Sequence, residues 1–448
     1  MKILEKYFAL GEHSTNIRKE ILAGITTFLT MAYIVFVQPA VLSTDFAGNP
    51  TGLDFGALLF ATCLISAATS IFMGLYANYP IACAPGMGEN FFFVSVIMAL
   101  TTLGYENAWS VALGIVFVSG IIFLLLSVLR VREAIINAIS PNMRNGIAVG
   151  IGLFITFIGF QHGNIITSKA GTMVGLNTDF LSHDILIFIF GLVFTGVLRA
   201  LRVKGNILWG IFASSLLAFL LGEIEFKGIF GFPQIHQAAA FRMDIVSALS
   251  LTCIPFIIVF LFMDVFDTIG TLMGVSETAG FIKDNKIPRV HRVLIVDAAG
   301  TVGGACLGTS TVTSYIESVT GVAFGGRTGL VSVVVGLFFL LALFFGPLIG
   351  MIGKYPPITA PALVIVGSLM MSNVRKIDWD DHAESIPAFL IIMGIPLFFS
   401  IADGIALGFI TYPVINLLSG RGKKVSILMY VISVLLLGYF VFIRAKLG

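Results

Sequence analysis

The sequence predicts an all-α polytopic membrane protein with about fourteen transmembrane segments. Of the 448 residues, 57% are hydrophobic and 11% are charged, whereas soluble proteins average about 25% charged residues. Apolar runs of about 20 residues recur along the whole chain, and each is long enough to cross a hydrocarbon core of about 30 Å. No soluble domain fits between them, so we expect a multi-pass protein of the cell (cytoplasmic) membrane.

The apolar runs give the approximate boundaries of the spans. These are 21–42, 56–77, 80–103, 108–129, 145–160, 183–201, 206–222, 249–275, 291–308, 309–324, 328–350 and 356–373, then a long apolar stretch at 386–419 and a last span at 425–443. The first 20 residues are too charged for a secretory signal and are interpreted as a cytoplasmic lead-in.

Basic residues predict the sidedness of these spans. They cluster at the N-terminus, around Arg130, Arg132 and Arg144, around Arg199, Arg202 and Lys204, and at Lys283, Lys286, Arg289 and Arg292. Alternating spans place all four clusters on one side, which the positive-inside rule assigns to the cytoplasm. The stretch 386–419 leaves two alternatives. Either it enters and leaves on the same side, or it is one long span broken near Pro396 and Asp403.

Composition and motifs exclude several function classes. The net charge is only +2, and the basic residues lie in short loops instead of one patch, which argues against nucleic-acid binding. The four cysteines lack metal-type or redox-type spacing, and the phosphate-binding pattern GxxxxGK[ST] does not occur. We therefore expect no metal, no cofactor and no ATP-driven step, and the chain has no nucleophile constellation typical of an intramembrane enzyme.

Two of the predicted spans are poor helices. The third begins YPIACAPGMGENFFFV, where prolines and glycines prevent a regular helix until about Gly88. The tenth begins CLGTSTVTSYIESVTG, whose small and β-branched residues favour extended backbone before a short helix. Each is the third span of its half if the chain divides near residue 235. Interrupted spans at corresponding positions predict a transporter's binding site at the bilayer midplane.

Acidic residues inside these apolar segments are the candidate functional groups. Asp264, Asp267 and Thr271 are spaced to form one polar stripe on the eighth span, FLFMDVFDTIGTLMGVS. A carboxylate at mid-bilayer costs about 2.5 to 3.5 kcal/mol, so such a residue is functional by default. We expect Asp267 to carry a proton, and we expect Asp264 to be either functional or a structural support.

Polar residues also follow each interruption: Glu89 and Asn90 in the third span, and Glu317 and Ser318 in the tenth. Glu317 is predicted in the first turn of its half-helix, where a negative charge is favoured by about 0.3 to 1 kcal/mol. Asn90 offers a donor and an acceptor suited to a planar ligand. Glu317 is thus the expected substrate anchor and Asp267 the expected proton carrier, although the reverse assignment is equally compatible with the residues.

At these motifs the sequence resembles the nucleobase–cation symporter family, in its azaguanine-type adenine, guanine and hypoxanthine permease branch. The matching segments include ITTFLTMAYIVFVQPAVLS, APGMGEN, MDVFDTIGTL, GTSTVTSYIES and IPAFLIIMGIPLFFSIADGIALGF. The resemblance implies that Asp267 and Glu317 are the essential acids. It also places the asparagine of the GMGxN motif on Asn90 as a residue that contacts the base. From the residues themselves we expect Ser318 and Thr271 as further substrate-binding residues, and Asp264, Glu89 and Thr313 as supporting residues.

The resemblance also implies an architecture. We expect two inverted seven-span repeats, with short antiparallel strands in spans 3 and 10 beside the nucleobase. Spans 1–4 and 8–11, residues 1–130 and 236–350, would form a core domain. Spans 5–7 and 12–14, residues 131–235 and 351–448, would form a gate domain, and a homodimer through the gate domains is the implied assembly.

One departure from the family pattern concerns selectivity. Many members have GMGLNA where this chain has GMGEN followed by Phe91, so Glu89 replaces an apolar residue and Phe91 a small one. The expected function is import of guanine and hypoxanthine through the lipid bilayer by symport with a proton. An adenine permease is the alternative substrate class, and an anion carrier of similar fold is the alternative transporter class.

Overall fold

The computed structural model describes residues 2–129, 139–169, 173–233, 239–281, 287–438 and 440–441. Ten helical segments among them are long and apolar enough to cross a membrane, and four shorter apolar helices of 10–17 residues accompany them. The multi-pass helical architecture is therefore confirmed, whereas fourteen spans in two inverted repeats stay a prediction. Four residues of the predicted basic clusters, Arg130, Arg132, Lys283 and Lys286, lie outside the described residues, as does the end of the last predicted span.

The helices follow the apolar runs closely in both halves of the chain. Those of the first half are α1 (Lys2–Tyr7), α2 (Ile17–Met31), α3 (Ile34–Ser43), α4 (Phe55–Phe72), α5 (Met87–Thr102), α6 (Ala108–Val128), α7 (Pro141–His162), α8 (His183–Ala200) and α9 (Asn206–Leu220). Those of the second half are α10 (Ile245–Ala248), α11 (Ile254–Ala279), α12 (Val290–Leu307), α13 (Ser318–Phe324), α14 (Leu330–Ala342), α15 (Gly346–Gly353), α16 (Pro356–Met370), α17 (His382–Leu397), α18 (Ile401–Leu418) and α19 (Ile427–Gly438).

Four short strands form two separate antiparallel ribbons. β1 (Cys83–Pro85) pairs with β4 (Val312–Ser314), so the strands predicted in spans 3 and 10 are present. β2 (Ile166–Lys169) pairs with β3 (Met173–Leu176) in the loop after α7. This second ribbon was not predicted, because its residues lie in a polar loop between two apolar runs.

Three of the predicted spans are interrupted. The first is divided at Ala32 and Tyr33 between α2 and α3, a break that the sequence analysis did not predict. The third is extended through Pro85 and becomes helical only at Met87, because proline cannot supply a backbone N–H. The tenth, predicted at 309–324, is a strand followed by the seven residues of α13 and is therefore not a spanning helix.

The helices pack in two groups that make fewer contacts with each other than within themselves. The first group contains α2 to α6 and α11 to α14, and the second contains α7 to α9 and α16 to α18. In sequence they correspond to the segments predicted as core and gate. That they act as core and gate domains remains a prediction.

The apolar stretch 386–419 folds as an antiparallel hairpin of α17 and α18. At its open end, Asn416 Nδ2 donates to the Ala383 carbonyl at 3.4 Å, and the two helices are joined by a turn at 398–400. The hairpin enters and leaves on the same side, which is the first of the two alternatives. The flanking residues are clamped together, since Arg421 Nη1 donates to both carboxylate oxygens of Asp381 at 2.6 and 2.7 Å. This hydrogen bond lowers the pKa of Asp381.

We predict that Gly404→Ala will separate the two hairpin helices. A Cβ at this position would come within 2.4 Å of the Ile395 backbone nitrogen, and overpacking of this kind costs about 1–3 kcal/mol. The melting temperature in detergent should therefore fall. Gly196→Ala in α8 is the matched control, because a Cβ there meets nothing within 4 Å and alanine favours the helix. Equal melting temperatures for the two variants would show that this close approach contributes nothing.

Candidate functional site

The candidate site is built around the ribbon of β1 and β4, where two interrupted spans meet. Segment 83–85 pairs with segment 312–314, and the pairing extends one step further at each end, from Gly86 N to the Thr311 carbonyl at 3.1 Å and from Tyr315 N to the Ala82 carbonyl at 2.9 Å. Backbone groups inside a membrane must find protein partners, because lipid offers none. The two extended segments satisfy each other.

Side-chain hydroxyls attach this ribbon to its neighbours. Ser70 Oγ of α4 accepts from Cys83 N at 3.0 Å, and Thr301 Oγ1 of α12 accepts from Val312 N at 3.2 Å. Tyr315 Oη donates to the Pro85 carbonyl at 2.5 Å. All three side chains are buried, so the ribbon is a fixed platform between the helices.

Asp267 projects from α11 into open space beside the ribbon. Its Oδ2 accepts a hydrogen bond from Thr313 Oγ1 at 3.3 Å, and its side chain is exposed. Further along the same face, a Cβ at Gly270 would meet nothing within 4 Å, and Met273 is 52% exposed. A carboxylate at this depth faces water or protein instead of lipid. Exposed positions on α11 therefore continue from Asp267 beside the ribbon through Gly270 to Met273.

Glu317 is half-buried at the residue before α13. We expected it in the first turn of the half-helix, but it is the N-cap residue, and its side chain makes no capping hydrogen bond. Its Oε1 instead accepts from Tyr33 Oη at 2.9 Å. Tyr33 occupies the break between α2 and α3, so this unpredicted interruption supplies the partner. The structure brings the two predicted acids to the same strand, because Asp267 accepts from Thr313 of β4 and Glu317 follows the end of β4 by three residues.

A third acid, Asp297 of α12, lies fully buried behind the ribbon. Its Oδ2 accepts from Thr268 Oγ1 at 2.5 Å, and its Oδ1 accepts from Ser314 Oγ at 2.9 Å. Thr268 Oγ1 is also 3.0 Å from Thr313 Oγ1, which in turn reaches Asp267. A row of hydrogen-bonding distances thus joins the exposed acid to the buried one. The two hydroxyls carry two protons for three links, so all three links are hydrogen bonds only when one of the two acids is protonated.

Asp264 and Thr271 do not share the environment of Asp267. Both are buried, at 0% and 4% exposure, whereas Asp267 is exposed. Asp264 Oδ2 accepts from Thr301 Oγ1 at 2.7 Å, inside the packing between α11 and α12. The predicted single stripe is therefore split. Positions 264 and 271 lie about 20° apart around a helix, while position 267 is about 60° from 264 and faces the opening.

Three further predicted residues hold the ribbon segments in place. Asn90 is fully buried, and its Oδ1 accepts from Ser310 Oγ. Ser318 Oγ accepts from Ala82 N at 3.0 Å and is likewise buried. Glu89 is 3% exposed, and its carboxylate lies so close to Gly86 that a Cβ there would be 2.2 Å from Glu89 Oε2. That these residues contact a substrate stays a prediction.

Comparison with known proteins places this fold and these motifs in a family. Residues 18–406 match the Xan_ur_permease model, described as a permease family. The chain belongs to this nucleobase permease family. It is 43% identical over 450 residues to the guanine/hypoxanthine permease PbuG of Bacillus subtilis, covering 98% of this chain and 100% of PbuG. It is 40% identical over 444 residues to the adenine permease AdeP of Escherichia coli, covering 99% and 97% of the two chains.

Among solved structures, the chain is similar to the transmembrane domain of the cyanobacterial bicarbonate transporter BicA. The TM-score is 0.64 at 14% identity, over 87% of this chain and 97% of that one, so the likeness shows the fold. The family resemblance predicted from the motifs is confirmed. The protein is a transporter of the cell membrane and not an enzyme, because the family and the relatives are permeases.

The sequence analysis of this permease missed two side chains of the site. Asp297 interrupts the apolar segment VLIVDAAGTVGGACL, and the argument applied to Asp267, that an acid within a span is functional by default, applies to it equally. Tyr33 gave no such signal. An aromatic residue in an apolar segment is ordinary, and only the break between α2 and α3 brings its hydroxyl to Glu317.

We predict that Thr301→Val will destabilise the permease by about 1.5–3 kcal/mol, because it removes the hydrogen bond to the buried Asp264 carboxylate. Thr62→Val in α4 is the matched control. The Thr62 hydroxyl is buried without a hydrogen-bond partner, so its loss should leave the melting temperature unchanged or higher. A Thr301→Val variant as stable as the Thr62→Val variant would contradict the assigned support of Asp264.

Proposed function

We propose that this permease imports the purine nucleobases guanine and hypoxanthine across the cytoplasmic membrane by proton symport. The observation that supports this most directly is the placement of Asp267 and Glu317 beside a fully paired ribbon at the meeting of two interrupted spans. Two relatives of the chain are named as guanine/hypoxanthine permeases, PbuG and PbuO of Bacillus subtilis.

Base recognition rests on Glu317 in this proposal. Guanine presents two adjacent donors, its N1–H and exocyclic amine, which a carboxylate accepts side by side, and hypoxanthine presents N1–H alone. The hydroxyl of Tyr33 fixes one oxygen of Glu317 at 2.9 Å and so orients the carboxylate. Ser318 holds the backbone of Ala82, and Asn90 holds the hydroxyl of Ser310. Together with Thr271, they contact the base through the groups that these roles leave free.

Proton coupling rests on Asp267, with Asp297 as a second station behind the ribbon. The separations along the row are 3.3 Å from Asp267 to Thr313, 3.0 Å from Thr313 to Thr268 and 2.5 Å from Thr268 to Asp297. Hydroxyls donate and accept at once, so such a row can pass a proton. Closing the site around an ionised Asp267 would strip its hydration at high cost. Protonation removes that cost, which couples proton uptake to movement of the loaded site.

The two helix groups provide the moving parts in this proposal. The group of α2 to α6 and α11 to α14 contains the ribbon and the acids, and would move as the core against the group of α7 to α9 and α16 to α18. A homodimer through this second group would hold it still in the membrane.

Adenine is the alternative substrate, because relatives at similar identity are named as adenine permeases. It lacks the N1–H donor, so a deprotonated Glu317 would accept only from its exocyclic amine. An anion carrier of the same fold is disfavoured. Among the described residues, five carboxyl groups lie on or beside the ribbon, those of Glu89, Asp264, Asp267, Asp297 and Glu317. Ionised carboxylates repel an anion, whereas they accept the N–H groups of a purine.

Uptake of labelled purines into cells or proteoliposomes tests the function. Guanine and hypoxanthine should compete with labelled hypoxanthine, whereas uracil and sulfate should not. Glu317→Gln should weaken hypoxanthine binding by about tenfold or more, because a hydrogen bond to a charged group contributes about 1.5–3 kcal/mol. Competition by adenine alone would favour the alternative substrate, and failure of every purine to compete would exclude this proposal.

Asp267→Asn should uncouple transport from the proton gradient. We expect accumulation driven by an imposed pH gradient to fall to simple equilibration, while exchange of labelled for unlabelled hypoxanthine across the membrane continues. Asp179→Asn, at an exposed loop acid, is the control and should accumulate hypoxanthine like the parent. Gradient-driven accumulation by Asp267→Asn would remove this residue from the proton path.

A further inference from the structure

A cavity separate from the ribbon lies between the tip of the α17–α18 hairpin, at 398–400, and the first helix group. It is at the opposite end of the hairpin from the Asp381–Arg421 clamp. Its volume is about 150 Å³. It is lined by Phe92, Ser95 and Thr102 of α5, and by Phe398, Phe399 and Asp403 at the hairpin turn. The basic loops define the cytoplasmic end, so this cavity lies toward the outer surface.

We propose that this cavity is an outer binding site for a purine base on its way to the ribbon. The inference rests on the proposed function and adds a second site to it. A cavity of about this size holds a benzene ring, and this one is partly open, so that one ring of the base enters while the other projects from the mouth. The phenylalanine rings offer faces for stacking.

The polar groups of the cavity match the edge of a purine. Ser400 Oγ accepts from Asp403 N at 3.2 Å, which places Asp403 in the first turn of α18. Asp403 is 4% exposed, and a carboxylate has about four acceptor positions, so it accepts an N–H of the base in addition to its existing contacts. Ser95 and Thr102 supply hydroxyls on the facing helix.

Phe399 links this cavity to the closure of the outer end. Its ring lies 5.2 Å from the rings of Phe46 and Phe154 and 5.6 Å from that of Phe157. Its φ of 53° is in the left-handed region, which bulky residues rarely adopt. Phe399 therefore both lines the cavity and packs against these three rings. A base in the cavity therefore contacts Phe399, the residue that must move before the base can pass to the ribbon.

Protection of an introduced cysteine tests the site. Ser95→Cys is made in a Cys306→Ala chain, because Cys306 is half-buried while Cys63, Cys83 and Cys253 are buried. Labelling by a membrane-impermeant maleimide added outside should slow by about tenfold with hypoxanthine at about ten times its Kd, since only the empty site reacts. Thr101→Cys, on the same helix but not lining the cavity, is the matched control and should label at the same rate with and without hypoxanthine.

Two added substitutions separate the outer site from the ribbon site. Asp403→Asn should abolish the protection at Ser95→Cys. Glu317→Gln, which impairs the ribbon site, should leave the protection intact. Loss of protection in the Glu317→Gln chain would show that the protection comes from a conformational change at the ribbon, and would overturn the proposal. Equal labelling with and without hypoxanthine, in a chain that still transports hypoxanthine, would also overturn it. If the parent transports no purine, the proposed function itself fails.

Discussion

The need to pair extended backbone inside the membrane is the constraint on which the rest of this structure depends. Two spans begin with extended backbone instead of helix, and each exposes N–H and C=O groups that lipid cannot satisfy. Antiparallel pairing of β1 with β4 solves the problem for both at once. It also forces α5 and α13 to begin at the ribbon, so that the residues following each break come together even though more than 200 positions separate them in sequence.

The same pairing explains how several acids are tolerated in one apolar interior. Four carboxylates around the ribbon have distinct sets of hydroxyl partners: Thr268 and Ser314 for Asp297, Thr301 for Asp264, Thr313 for Asp267 and Tyr33 for Glu317. Threonine and serine suit this role because a hydroxyl can donate to a carboxylate while also contacting backbone. Only Asp267 and Glu317 are also accessible, which distinguishes acids available to a solute from acids that support the scaffold.

The hairpin of α17 and α18 gives the molecule an asymmetry between its two ends. Its open end is clamped by Asp381 and Arg421 on the side of the basic loops. Its tip reaches the opposite side and packs Phe399 among the rings of Phe46, Phe154 and Phe157. Aromatic packing therefore surrounds Phe399 at the hairpin tip, whereas the face of α11 that carries Asp267 is exposed.

The sequence by itself determined the membrane class, the helical spans, the family and the two strands, because these depend on local properties: length of apolar runs, proline and glycine placement, and contiguous motifs. It also singled out Asp267 and Glu317, since an acid within a span is conspicuous. Tertiary structure alone decided the rest. The burial of Asp264 depends on how α11 is rotated against α12. The folding of 386–419 as a hairpin depends on close contacts between its two helices, such as that of Gly404 with Ile395. The partner of Glu317 depends on a break at Tyr33. These outcomes follow from contacts between segments distant in the chain, which no local pattern encodes.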